Sequence, residues 1–333
     1  MKTSTFAAFV APSLVMMLVF IAAPLLYVFG QSFFLTTPVT EQISVETCTP
    51  GFLVQNCTQE TKSVPKLDAA GRIVTETQFV GLQSYAAIVE PAKAWAAITA
   101  LDYRALMAID FWRALRFTLM FTFITLPLVL ALGLGVALAV NNTARVLRGP
   151  VIFVSLLPFI ITPVIGALAI RWLFVSDGLL LGYPVSMFSQ GWTIEILMMF
   201  FRVWHVAPFA FIILYAGLQT LNHDAIEAAM IDGASRWQRL RFVIVPHLAP
   251  LIIFVALIHL MDAYRVFDEI VGFRADAHVI SLQYLTYDFL IPDSTGNRSI
   301  SRAAASSMLT MIGIVLLLIP LLRQTWAQHR GSR

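Results

Sequence analysis

The sequence predicts an all-α polytopic membrane protein with six transmembrane helices, and three observations carry that prediction. Of its 333 residues 59% are hydrophobic and only 12% charged, about half the charged share of an ordinary soluble domain. Long charge-free runs recur along the chain, at or near the roughly 20 residues of helix that cross a hydrocarbon core. Short connections rich in arginine alternate with connections that carry few, the mark of a chain with one positively charged membrane face. The excess apolar surface has to meet a lipid bilayer.

Residues 3–40 hold no charged side chain and positions 6–33 are almost wholly apolar. Residues 1–35 therefore read as an N-terminal transmembrane helix. A cleaved signal peptide starting at Lys2 is the alternative, but its apolar region would typically be about 7–15 residues. Residues 36–112 change in character. Thr, Ser, Pro, Gln and charges dominate up to Gln78, with turn signals at Thr49-Pro50-Gly51 and Ala70-Gly71. From Phe79 to Asp110 the pattern is helical and semi-apolar, with Tyr85, Trp95 and Tyr103, as in elements lying on a membrane surface. This stretch is expected to be a periplasmic loop insertion with surface helices. It holds both cysteines, Cys48 and Cys57. No CxxC or Cys/His cluster is present, so no metal site is expected. On the periplasmic side the two can form a disulfide; two free thiols is the other reading.

Five further spans make up the membrane core, residues 113–323. They cover 117–144, 149–170, about 194–218, about 242–272 and 303–322, and residues 324–333 form a tail. With the N-terminus inside, the short inner segments carry nine basic residues: Lys2, Arg145, Arg148, Arg236, Arg239, Arg241, Arg323, Arg330 and Arg333. The short outer segments carry three, Arg274, Arg298 and Arg302. The expectation is N-in/C-in, with a cytoplasmic tail. The net charge of +3 reflects this topology. No Lys/Arg run interleaved with aromatics suggests nucleic acid as a partner.

Ionisable residues within a span are costly and mark function or pairing. The fifth span holds His259, Asp262, Arg265, Asp268 and Glu269. On a continuous helix all but Asp268 share about a third of the circumference, with Asp268 at its edge. Asp262–Arg265 and Arg265–Glu269 then fall at pairing distance. Two readings stay open: a polar wall lining a substrate pathway, or interfacial residues paired for stability. Arg202 and His205 lie one turn apart in the fourth span beside Trp204. Aromatic rings with hydrogen-bonding groups suit a sugar; an interfacial aromatic belt with a snorkelling arginine is the alternative. Pro127, Pro158, Pro163 and Pro208 interrupt spans, and Gly133-Leu134-Gly135 and Gly166–Ala169 offer small faces for close helix contact.

No Walker A sequence is present, and none of the four lysines follows a glycine. His-Glu-x-x-His and Gly-x-Ser-x-Gly are absent too. No catalytic residue and no cofactor of the chain itself is expected, and the chain is not read as an enzyme.

Residues 222–246 form a polar island between two apolar runs. Asn222 or Asp224 can cap a helix whose first turn holds Glu227. Gly233 would end it, and residues 234–245 would start a second helix leading into the fifth span. This elbow is a handle by which something outside the membrane can move the helices beside it.

The spacing within the elbow is Glu227-Ala228-Ala229, three residues, Gly233, nine residues, then Val243, Val245 and Pro246. It resembles the EAA motif of membrane permease subunits of binding-protein-dependent ABC importers, with Val243 and Val245 in place of the usual Ile and Leu. Ile231-Asp232-Gly233-Ala234-Ser235 and Trp237-Gln238 look like its carbohydrate-uptake branch. Phe79-Val80-Gly81-Leu82 with Tyr85, then Phe111-Trp112, is similar to the maltose-type first permease, as are Leu157-Pro158, Arg171-Trp172 and Phe267-Asp268. The usual Thr-x-Gly-Gly-Pro after the last of these is replaced by Phe273–Ala277, and the Tyr85–Phe111 spacer is longer.

The resemblance implies a type I ABC importer permease fold in a bacterial inner membrane. It implies a second homologous permease subunit as heterodimer partner, a periplasmic solute-binding protein and a cytoplasmic ABC ATPase dimer holding ATP and Mg. Glu227, Ala228, Ala229, Asp232, Gly233 and Pro246 would form the coupling element for that ATPase. The solute would be a sugar or sugar-like molecule. An ion-coupled secondary transporter using the Asp262–Glu269 stripe is the alternative; it leaves the elbow spacing unexplained.

Overall fold

The computed structural model describes residues 3–49, 56–68, 71, 74–175, 190–292 and 298–331. The turn signal at Pro50-Gly51 and residues 176–189 lie outside the described residues. The chain forms two compact units, Met1–Ile109 with Leu285–Leu309, and Asp110–Tyr284 with Thr310–Arg333.

The first unit opens with α1 (Thr3–Met17), a π-helical turn at Leu18–Ala22, and α2 (Ala23–Gln31). Pro24 has no N–H for the Phe20 carbonyl, and the turn before it widens, with Ala23 N–H reaching the Leu18 carbonyl. Neither the π turn nor α2 buries a residue; Ala8–Gln31 is long and apolar enough to cross a membrane.

The insertion, expected as a loop with surface helices, also carries strands. Strand β1 (Phe34–Pro38) pairs antiparallel with β4 (Thr75–Phe79), and β2 (Thr40–Thr49) with β3 (Asn56–Pro65). In the second ribbon Cys48 and Cys57 are Cα partners. These strands hid in the sequence because period-2 alternation shows only where one face is buried, and every residue of β4 is exposed. The surface helices are present as α3 (Gln83–Val89), α4 (Pro91–Thr99) and α5 (Tyr103–Met107). The Tyr85 hydroxyl donates to Ser32 Oγ at 2.8 Å, and Asp102 caps α5 by accepting from two backbone N–H groups. Two later helices reach into this unit, α14 (Leu282–Asp288) and α15 (Ile300–Gly331). Ser301 Oγ accepts from the Thr36 N–H of β1, and Thr286 and Ser306 hydroxyls meet at 2.8 Å. Helix α15 continues through Gly331, past the position where the tail was expected.

The second unit holds α6 (Asp110–Asn141), α7 (Arg145–Ile160), α8 (Pro163–Val175), α9 (Gly191–Leu218), α10 (His223–Ile231), α11 (Arg236–Arg239), α12 (Val245–Tyr264) and α13 (Asp268–Phe273). Among the described residues five helical stretches are long and apolar enough to span, and α7 with the first part of α8 makes a sixth as a pair bent by 92°. The sequence placed a span at 149–170 with Pro158 and Pro163 interrupting it. Pro163 breaks it, because the ring forbids helical backbone at Thr162 and supplies no N–H; Ile161 already has ψ 134°.

Helices α6 and α9 pack closely where small residues permit it. A Cβ on Gly133 would fall 2.6 Å from Ala210 Cβ and 2.9 Å from Phe211 N. Gly135 faces open space, so only half of that small face is used. On Gly166 a Cβ would stand 3.0 Å from the Phe201 ring, and on Gly272 of α13 it would stand 2.6 Å from Ala167 Cβ of α8. Around these contacts Phe117, Phe121, Phe201, Ile270 and Phe273 form a buried cluster.

Candidate functional site

Two places in the second unit concentrate the residues singled out above: the elbow and a polar cavity. At the elbow, Asn222 Oδ1 accepts from the Asp224 N–H at 3.0 Å and so caps α10. At its other end Ala234 N–H reaches the Ala229 carbonyl at 2.9 Å and Gly233 N–H the Met230 carbonyl at 3.0 Å. This is a Schellman stop, and it needs Gly233 in left-handed backbone, φ +77°. Ser235 and Gln238 then open α11 with a reciprocal capping box. Pro246 lacks the N–H that the Phe242 carbonyl would take, and Val245 N–H bonds the Leu240 carbonyl five residues back. This π turn bridges α11 to α12, so that Arg236–Tyr264 is one helical stretch of 29 residues.

Glu227, Ala228, Asp232, Gly233 and Pro246 are exposed, and Ala229 is half-buried. Large apolar side chains stand beside them in the open, with Ile231 87% and Trp237 67% exposed. A rigid, doubly capped helix with exposed apolar groups has the character of a docking element.

The cavity forms around Arg202. Its Nη1 donates to Glu269 Oε1 at 2.6 Å and its Nη2 to Asp262. The expected pairs Asp262–Arg265 and Arg265–Glu269 do not form. They assumed one helix through residue 272, whereas α12 ends at Tyr264 and α13 starts at Asp268. The Val266 carbonyl, freed at the break, accepts from Ser281 Oγ at 2.6 Å. Arg265 is exposed and makes no ion pair among the described residues.

Two recesses share Arg202, Asp262 and Asp268. The larger, about 430 Å³, adds Phe159, His205, Phe209, Ile258 and His259. The smaller, about 230 Å³, adds Arg265, Phe267, Glu269 and Gln283. His259 is buried with Nε2 3.0 Å from Thr125 Oγ1, and its Nδ1 has no partner. His205 Nδ1 lies 2.8 Å from the Pro158 carbonyl. That oxygen is one of the last carbonyls of α7, which a helix end leaves unsatisfied, so His205 ties the bent pair to α9. Asp268 lies beyond the Arg236–Tyr264 span. Desolvation, and then the carboxylates of Glu269 and Asp262, push its carboxyl above the usual range, while Arg202 opposes them.

The structure thus gathers seven of the eight expected pathway residues. Trp204 is the exception: it lines neither recess and is 37% exposed on the outer side of α9. Phe159, Phe209, Thr125 and Gln283 were missed. Phe209 had a signal, since 202, 205 and 209 follow helical i, i+3, i+7 spacing; Gln283 had none. Phe159 and Phe209 stack with centroids 5.8 Å apart, giving the larger recess an aromatic wall.

The second unit is thus a bundle of candidate membrane spans with an exposed elbow and a polar recess between helices. Residues 107–329 match the family described as binding-protein-dependent transport system inner membrane component, and the chain belongs to that family. The trehalose/maltose transport system permease protein MalF of Thermococcus litoralis is 31% identical over 212 residues, covering 59% of this chain and 63% of that protein. The trehalose transport system permease protein SugA of Mycobacterium tuberculosis is 33% identical over 165 residues, covering 48% and 53%. The matched segments therefore span less than two thirds of these relatives. A chain in the crystal structure of a bacterial ABC transporter involved in the import of the acidic polysaccharide alginate superposes with a TM-score of 0.63. It covers 100% of this chain and 97% of its own length at 18% identity. The fold is that of a type I ABC importer permease.

Proposed function

We propose that the chain is one of two permease subunits of an ATP-driven importer and forms half of the pathway for a sugar or sugar-like solute. The observation that carries this reading is a connection. The stretch Arg236–Tyr264 begins at the elbow and bears His259 and Asp262 of the cavity near its far end, roughly 40 Å away at 1.5 Å per residue. A push on the elbow is thereby delivered to the cavity wall along a single rigid element.

The solute reaches the cavity from a periplasmic binding protein, and ATP and Mg are bound by a separate cytoplasmic ATPase dimer. Glu227 engages a basic residue of that ATPase, Ala228 and Ala229 allow close approach, and Asp232, Gly233 and Pro246 shape the elbow. The membrane is a bacterial inner membrane, with both termini and the elbow inside. The names of the trehalose and maltose permeases, together with the ring pair Phe159–Phe209 beside acceptor carboxylates, support a polyhydroxylated solute. The Cα pairing of Cys48 with Cys57 supports a disulfide across the outer ribbon.

Uptake into vesicles reconstituted with both permeases tests the function. Transport should require ATP, the ATPase and the binding protein together. Uptake driven by an ion gradient without ATP would overturn it.

A further inference from the structure

The charges around the cavity are unbalanced. Two arginines, Arg202 and Arg265, stand among three carboxylates, Asp262, Asp268 and Glu269. Arg202 is taken up by Glu269 and Asp262, and Arg265 lines only the smaller recess, so in the larger recess no free arginine faces Asp262 and Asp268. Asp262 keeps its side chain 59% exposed despite that pairing. Asp268 is exposed and has no ion pair among the described residues.

Two buried polar side chains on the wall of the larger recess each carry an atom without a hydrogen-bond partner among the described residues. His259 is 1% exposed and Arg202 4%; both line the larger recess, and His259 Nδ1 and Arg202 Nε lack partners. A buried unsatisfied polar group is costly, and a shift of either side chain toward the recess would let a solute hydroxyl satisfy it. Ionised carboxylates only accept hydrogen bonds. They therefore select donors, meaning hydroxyl or ammonium groups, and repel a further anion with little solvent to screen the repulsion between apolar walls.

We infer that Asp262 and Asp268 act as a charge filter on the pathway: the cavity accepts neutral or amine-bearing polyhydroxylated solutes and rejects sugar acids. This rests on the cavity being the solute pathway. The fold shared with an alginate transporter does not extend to the charge its solute carries.

The test uses the assembled complex of both permeases and ATPase, purified without binding protein so that no upstream selection intervenes. Three probes of matched size are compared by equilibrium dialysis: maltose, the glucosamine dimer and digalacturonate. In wild type the acid should bind at least about tenfold more weakly than maltose, since like-charge juxtaposition suppresses wrong partners strongly. Asp268→Asn should narrow that gap and weaken the glucosamine dimer, while Asp268→Glu should restore both. Equal binding of acid and neutral probes, an unchanged ratio in Asp268→Asn, or no binding of any probe would overturn the filter. ATP-dependent uptake by the same complex with its binding protein stands apart. If it persists while the ratios fail, only the filter falls; if it is absent, the importer reading falls with it.

Discussion

The guanidinium of Arg202 on α9 donates to Glu269 at 2.6 Å and also to Asp262, which places one buried residue across both sides of the break between α12 and α13. Asp262 is the third-last residue of α12 and Glu269 the second of α13. The clasp fixes how the end of the long helix meets the short one that packs on α8.

Breaking that clasp should destabilise the protein sharply. Arg202→Leu leaves Glu269, 1% exposed, as an unpaired buried charge, which typically costs about 3–5 kcal/mol. The melting temperature of the purified complex should fall, and the double variant Arg202→Leu/Glu269→Leu should recover much of the loss. A double variant no better than the single would show that the pair has no such coupling.

Gly233 tests the elbow. Its φ of +77° suits glycine, and a Cβ there would meet nothing within 4 Å, so any penalty is one of backbone alone. Gly233→Val should cost about 1–2 kcal/mol and lower ATP-driven uptake at unchanged membrane abundance. Gly233→Asn, which tolerates left-handed backbone, should retain most activity.

Glu227 is exposed at the middle of α10, so replacing it leaves the fold intact. Glu227→Arg should insert normally yet fail to retain the ATPase on co-purification, with uptake lost. Unchanged uptake in that variant would remove Glu227 from the coupling role.

Gly272 measures how tightly α13 sits on α8. A methyl group there meets Ala167 Cβ at 2.6 Å and the Val164 carbonyl at 2.9 Å. Gly272→Ala should destabilise by about 1–3 kcal/mol, the usual range for overpacking, and Ala167→Gly in the same chain should relieve part of it. Thermal melts of the three variants decide this.

The outer ribbon makes a simpler prediction. With Cys48 and Cys57 as Cα partners, the protein isolated from oxidising conditions should bind no thiol reagent until it is reduced, and then two equivalents per chain. Immediate labelling of both would exclude the disulfide.

What the sequence alone determined is local or periodic. Charge-free runs marked the spans, because lipid tolerates few charges in a helix that crosses it. The elbow was legible from Asn222, Gly233 and Pro246, since caps, left-handed stops and missing N–H groups act within a few residues. Tertiary structure decided the rest. The polar stripe of the fifth span was visible, but its partners were not: a helical wheel joined Arg265 to Asp262 and Glu269, whereas Arg202, 60 and 67 residues away in sequence, takes both. The reason is the break at residues 265–267, which is supported by Ser281 accepting the role of donor to the Val266 carbonyl, a contact with no short-range signature. The bend of α7 against α8 shows the same division. Pro163 announced an interruption, but the 92° angle belongs to a packed arrangement in which Gly166 seats on Phe201, Gly272 seats on Ala167 and His205 bonds the exposed end of α7.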